Sequence, residues 1–140
     1  MTGDGTPVTR CLRAEATPAC LDRVHALLAE LLAEGPGVLP ADRIGFETAL
    51  AEVVANVVEH AAAERTVHLV VRLTARSDRL DAELRDDGPP VEVDLAAAAL
   101  PDPTAETGRG LALARAAVDE VAYDRAGGEN RWRITRRRTG

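Results

Sequence analysis

Apolar positions recur along this chain with two different periods, and the switch between them marks out its elements. Leu21, Val24, Leu27, Leu28, Leu31 and Leu32 form a stripe at helical spacing that runs to Glu34, with Thr17 as the expected N-cap and Pro18 as the first helical residue. The segment GPGVLP breaks this helix, and Asp42 is placed to cap a second one reaching about Ala62. Alternation of period two follows in TVHLVVRL at 66–73 and RLDAELR at 79–85, joined by ARSD into a hairpin. PVTRCLRA at 7–14 alternates more weakly and reads as an edge strand. From Pro89 to Thr107 the pattern is less regular, with a short helix expected near Asp94–Leu100 and a turn around Pro101–Pro103. A third helix is expected from Gly110 through LALARAAVDE, and Val121–Tyr123 and Arg131–Thr135 read as two last strands joined by DRAGGEN. The expected architecture is one α+β domain, a mixed and mostly antiparallel sheet covered on one face by three main helices. Strand–helix–strand repeats are missing, which excludes a doubly wound nucleotide fold. Residues 1–6 read as a flexible N-terminus, 7–136 as the domain and 137–140 as a basic tail.

Within the second helix, Glu52, Asn56 and His60 stand four residues apart in otherwise Ala- and Val-rich surroundings. That spacing makes a narrow polar ridge on an apolar helix, suited to holding a metal ion, a water or a hydroxyl at the edge of a cavity. Alone, the ridge also admits a plainer reading, in which Glu52 and Asn56 are the wet side of a surface helix. His60 divides evenly between a structural hydrogen bond and the edge of a site.

Composition narrows the possibilities. At 140 residues and 46% hydrophobic content the chain can bury a core without disulfides or metal. With aromatic content at 2%, that core is aliphatic. A net charge of -6 argues against general nucleic-acid binding. All 17 basic residues are Arg, which reads as codon usage in a GC-rich genome. Arg131, Arg133, Arg136, Arg137 and Arg138 read as a solvated last strand and tail in preference to an anion or partner patch. There is no signal-like N-terminus and no apolar run of membrane-spanning length, so a cytoplasmic protein without a membrane partner is expected. Cys11 and Cys20 lack CxxC spacing, and His25 and His68 have no neighbouring ligands, so neither redox nor zinc chemistry is expected.

Two glycine-bearing segments extend the polar ridge into a site. Asp86-Asp87-Gly88-Pro89-Pro90 follows a strand, where a carboxylate can accept a hydrogen bond from an exocyclic amine and Gly lets a ring lie against bare backbone. A plain turn explains the same five residues when they are taken alone. Thr107-Gly108-Arg109-Gly110-Leu111 opens a helix, where glycines admit a phosphate to the unpaired N–H groups of the first turn and Arg109 can add a charge-assisted contact. This segment is neither GxGxxG nor a P-loop.

Polar helix, acidic-Gly turn, irregular segment and GxG helix start, in that order, resemble the split ATP site of the gyrase, chaperone and histidine-kinase ATPase superfamily. Within it, AEVVANVVEHA, LRDDGPP and TGRGLALARAAVDEV look most like the small bacterial anti-sigma-factor serine/threonine kinases. The likeness covers nearly the whole chain, with Pro90 departing from the usual second glycine of the middle box. The resemblance implies a Bergerat-type, two-layer α+β sandwich that binds ATP or ADP with Mg2+. It implies that Asn56 coordinates Mg2+, that Glu52 orients or deprotonates a substrate hydroxyl, and that Asp86 and Gly88 receive adenine. Gly108, Arg109, Gly110 and Leu111 would surround the phosphates, with Thr107 and His60 at the site edge and a lid at 91–107. The implied partners are a sigma factor of RNA polymerase and a small anti-sigma-factor antagonist, in a homodimer of a bacterial stress-response circuit. The length fits a free-standing kinase rather than a histidine kinase, which also needs a phosphoacceptor helix pair. A non-catalytic nucleotide-binding module, or a kinase with a target outside sigma regulation, stands as the alternative.

Overall fold

The computed structural model describes residues 6–35, 37–61, 66–91 and 109–139, Arg109 by its backbone alone. The chain runs β1 (Val8–Glu15), α1 (Cys20–Glu34), α2 (Pro40–His60), β2 (His68–Ala75), β3 (Arg79–Asp86), α3 (Arg109–Ala117), β4 (Glu120–Ala126) and β5 (Glu129–Arg137). The strands form a five-stranded sheet in the order β1-β2-β3-β5-β4, with β1 on an edge as its weak alternation predicts. Every pairing among the described residues is antiparallel. The expected α+β sandwich is the fold.

The core lies between one face of the sheet and the helices. Val24, Leu28 and Leu31 of α1 and Phe46, Leu50, Val53 and Val54 of α2 pack onto Val71, Leu73, Leu80, Leu84 and Ile134 of the sheet, all essentially without solvent contact. Burying each such side chain contributes about 1.5–3 kcal/mol, so the aliphatic core holds the layers together. On β3 the inward row Leu80, Ala82, Leu84 ends at Asp86, and on β5 the inward row Ile134, Trp132 ends at Asn130. Asp86 and Asn130 face each other in register, a polar pair at the rim of the apolar rows.

Three local expectations are corrected. Helix α1 begins at Cys20 and has no side-chain cap; Thr17 and Pro18 belong to a preceding turn in which the Cys20 N–H donates to the Thr17 carbonyl at 2.9 Å. Helix α2 begins at Pro40 with Leu39 at its N-cap, so Asp42 does not cap it. The Asp42 side chain is fully buried and binds the end of the chain instead. It accepts from Arg136 Nε at 3.1 Å and from the Thr139 N–H at 2.8 Å. Helix α3 ends at Ala117, and Glu120, expected inside it, opens β4. Arg136 Nη1 donates to the Ala117 carbonyl at 2.6 Å, satisfying one of the acceptors a helix leaves at its C-terminus.

The described end of the chain is held by hydrogen bonds through Thr139, with Arg137 and Thr139 still exposed. Arg138 donates through its backbone N–H to the Asp78 carbonyl and through Nη1 to the Arg76 carbonyl, while the Arg137 N–H donates to Asp119. The segment DRAGGEN is likewise not a loop. Strands β4 and β5 continue through it to the pair Ala126↔Glu129, and Gly127 and Gly128, at φ 61° and 79°, make the two-residue turn. Two successive residues at positive φ suit the right-handed twist of a hairpin and select glycine.

Candidate functional site

Helices α2 and α3 run antiparallel in close contact. A Cβ on Gly45 would come within 2.6 Å of the Ala117 carbonyl at the end of α3, and a Cβ on Gly110 would overlap the Glu52 carboxylate at its start. Gly45 and Glu52 are seven residues apart on α2, as are Gly110 and Ala117 on α3, so the two contacts repeat after about two helical turns. Arg136 pins one end of this pair by binding both Asp42 and Ala117. The other end is brought against the polar ridge of α2. Glu52 thus lies at the N-terminus of α3, where unpaired N–H groups and the helix dipole favour negative charge.

Asn56, one turn further along α2, is half-buried, and its Oδ1 is shielded from solvent without a hydrogen-bond donor. His60 is exposed in the last turn, and none of its ring atoms makes a hydrogen bond among the described residues. Leu111 is buried. Thr107 and Gly108, the expected helix at 94–100 and most of the lid lie outside the described residues, as does the Arg109 side chain.

Asp86 is buried at the end of β3. Its Oδ1 accepts from the Gly88 N–H and from Asn130 Nδ2, both at 2.9 Å. Its Oδ2 is buried with no donor. Burial pushes the Asp86 carboxyl above its ordinary pKa, while the Asn130 and Gly88 donors pull in the opposite direction. A Cβ on Gly88 would sit 2.9 Å from Asp86 Oδ1 and 3.4 Å from Val67, so glycine is needed for the backbone to turn back on the carboxylate.

The second half of the site comes from residues that the motifs do not contain. Asn130 Nδ2 also donates to the Pro89 carbonyl at 2.8 Å, and Arg125 Nη1 donates to the Gly88 carbonyl and to Asn130 Oδ1, both at 3.0 Å. The Tyr123 hydroxyl donates to Asn130 Oδ1 and accepts from the Val91 N–H at 3.2 Å. Pro89 and Pro90 bring no N–H, so the loop chiefly needs donors for its carbonyls, and the β4–β5 hairpin supplies them. The neighbouring Asp87 closes the other side, accepting from the His68 N–H at 2.8 Å. The signal for Asn130 was its period-two relation to Trp132 and Ile134, which places it on the inward face.

Among the described residues, the buried side-chain polar atoms left without partners are Asn56 Oδ1, Asp86 Oδ2 and Trp132 Nε1. Two of the three belong to residues singled out from the sequence. An orphaned buried polar group costs about 1–3 kcal/mol; Asn56 Oδ1 and Asp86 Oδ2 are acceptors without a donor, and Trp132 Nε1 is a donor without an acceptor. No group of three metal-ligating carboxylates, histidines or cysteines is found among the described residues.

This fold, with a polar helix ridge, an acidic-Gly turn and a glycine-started helix, defines a nucleotide-site architecture of the ATPase kind. The family model for the histidine kinase-like ATPase domain matches residues 14–136, and the chain belongs to that family. Its fold is similar to a solved structure of the RsbU and RsbW domains of Rv1364c from Mycobacterium tuberculosis, with a TM-score of 0.61 and 25% identity. That match covers 92% of this chain and 32% of the other, so this chain spans about a third of the length of the chain it matches. It agrees with the anti-sigma-factor kinase resemblance read from the sequence. No curated protein matches the chain. No helix among the described residues is long and apolar enough to cross a membrane.

Proposed function

We propose that this protein is an ATP-dependent protein serine/threonine kinase that acts as an anti-sigma factor, sequestering a sigma factor and phosphorylating a small antagonist protein, as a homodimer. The observation that carries the nucleotide part is the pair of buried, donorless acceptors, Asp86 Oδ2 and Asn56 Oδ1, on the segments expected to hold adenine and metal. The family match and the likeness to an RsbW domain support the regulatory part.

In this reading Asp86 Oδ2 accepts the adenine amine, held in place by Asn130 and the Gly88 N–H. Gly88 leaves room for the ring. Asn56 Oδ1 is the protein's ligand for Mg2+, which when bound neutralises charge on the phosphates. The N-terminus of α3 receives phosphate oxygens at Gly110, where a side chain would obstruct them. Glu52 gives up its place at that helix start and takes the proton of a seryl or threonyl hydroxyl as its oxygen bonds to the γ-phosphorus and ADP departs. Positioning and charge, with no covalent enzyme intermediate, do the work.

The position of Glu52 also favours a second reading, a non-catalytic module that binds nucleotide and regulates by sequestration. A carboxylate docked on the start of α3 is a helix-stabilising contact with no need of a substrate. The two readings separate in one experiment, incubation of the purified protein with MgATP and candidate antagonists. Phosphoserine or phosphothreonine on an antagonist, lost in Glu52→Gln, supports the kinase. Saturable ATP binding with no phosphoprotein beside any cognate antagonist leaves the module. Absence of ATP binding by two independent probes removes both.

A further inference from the structure

The described helices cover one face of the sheet, and among the described residues nothing covers the other. Along it the outward residues run in cross-strand rows. One row is Cys11, Arg72, Glu83, Arg133 and Ala122, and the next is Arg13, Val70, Arg85, Arg131 and Asp124. Together these rows line a concavity of about 610 Å3. Arg13, Arg72, Arg85, Arg131 and Arg133 are all exposed, and none makes an ion pair among the described residues. Some arginines elsewhere are paired within the protein, Arg10 with Glu34, Arg79 with Asp81 and Arg136 with Asp42, while Arg23 and Arg43 stand singly and exposed on the helices. Arg85 and Arg131 stand directly opposite each other on β3 and β5, an arrangement that like charges disfavour.

A chain of net charge -6 thus gathers five exposed guanidinium groups, without ion pairs among the described residues, on the sheet face that the described helices leave open. General basicity does not account for that, and the fold does not need it. We infer that this sheet face is a docking surface for an acidic polypeptide segment of a partner protein. The guanidinium fork matches carboxylates in bidentate geometry. Glu83, between Arg72 and Arg133, and Asp124, beside Arg131, interrupt the positive field. A polypeptide accommodates them by setting a backbone N–H or a basic residue against each. A continuous polyphosphate backbone would meet them with like charge, and the acidic chain as a whole repels it. A second copy of this face, related by a two-fold axis, would bring arginine cluster onto arginine cluster. The surface lies on the opposite side of the sheet from Asp86 and Asn56, so the inference stands apart from the nucleotide reading.

Cys11, exposed in the concavity, reports on occupancy, because Cys20 is buried. The full-length protein is alkylated with a maleimide while poly-L-glutamate is titrated in, and the rate at Cys11 is followed by mass spectrometry. Saturable slowing is expected, with an apparent affinity at least about tenfold weaker in Arg85→Ala/Arg131→Ala. Arg23→Ala/Arg43→Ala, which removes the same charge from exposed positions on the helices, is expected to behave as the parent. Should the sheet variant fold poorly, Arg133→Ala alone is expected to weaken protection in the same direction. The inference is overturned by absence of protection, by equal loss in the two double variants, by tighter binding of duplex DNA or polyphosphate than of poly-L-glutamate, or by Cys11 protection that grows with protein concentration alone.

Discussion

Replacing Asp86 by Asn separates binding from folding. The side chain keeps its shape, and the amide oxygen can still accept from the Gly88 N–H and Asn130 Nδ2, so the bonds now made by Oδ1 survive. The buried, donorless Oδ2 becomes an NH2 group, which turns a donor toward the adenine amine in place of an acceptor. A hydrogen bond to a charged group contributes about 1.5–3 kcal/mol. At about 1.4 kcal/mol per decade, ATP affinity falls roughly ten- to a hundredfold. Apo stability moves the other way, unchanged or up by about 1 kcal/mol, because a desolvated charge is gone. The pH dependence follows with a definite sign. Burial raises the folded-state pKa of Asp86 above its unfolded value, so the cost of the charged form is present above that raised pKa and is relieved as pH falls through it. Nucleotide affinity, which needs the carboxylate, declines in the same window, and Asp86→Asn abolishes both trends. Calorimetric titration with ATP and urea unfolding of the apo protein, each across acidic to neutral pH, measure the two quantities. Parallel loss of stability and affinity, or unchanged ATP affinity, would refute the assignment of Oδ2 to the adenine amine.

Asn56→Ala is expected to remove the magnesium-dependent part of ATP affinity while leaving apo stability level or slightly higher, since an orphaned acceptor goes and helix propensity rises; titrations with Mg2+ and with EDTA check this. Gly110→Ala is expected to weaken ATP binding at least about tenfold and to destabilise α3 through overlap with Glu52, in a double-mutant cycle with Glu52→Ala whose coupling is about 1 kcal/mol or more; additive effects in urea unfolding would contradict the contact. Asp42→Asn is expected to cost about 3 kcal/mol at neutral pH, because Arg136 then loses its buried partner. Burial opposes the Asp42 charge, but the Thr139 N–H and Arg136 outweigh it and hold its pKa below the ordinary carboxylate range. Its contribution is therefore full above the unfolded pKa and is lost as pH falls through the depressed folded value, so the deficit of the variant should vanish in strong acid.

The sequence was most informative where a single period governs a segment. The α1 stripe, the β2–β3 hairpin and the body of α2 follow from spacing alone, since burial on one face imposes it. It was least informative at ends, where partners distant in the chain decide. Asp42 behaves locally like a cap and is claimed instead by Arg136 and Thr139, 94 and 97 residues away. DRAGGEN has the composition of a loop, yet its glycine pair closes a hairpin, and that error concealed Asn130 and Arg125. The motif residues proposed to meet the nucleotide stood out as candidates because few packing roles call for Glu52, Asn56 and Asp86 in such apolar surroundings. Their supports did not, because Tyr123, Arg125 and Asn130 look ordinary until the register pairs Asn130 with Asp86.

That division reflects how the site is built. A buried carboxylate with one unsatisfied oxygen works against folding, and so does a half-buried carboxamide with a donorless oxygen. Both persist because rigid neighbours fix them. Asp86 is fastened through its other oxygen to Asn130 and Gly88, and Asn56 is carried on a helix whose opposite face is fully packed. The α2–α3 contact follows the same logic, since Gly45 lets the helices meet where Arg136 locks them and Gly110 lets them meet where Glu52 waits. These acceptors are places where local choices work against the fold, and such exceptions are where function is expected to reside. What folding surrenders there, in unsatisfied oxygens and in side-chain volume at Gly110, is what a nucleotide with its metal would supply.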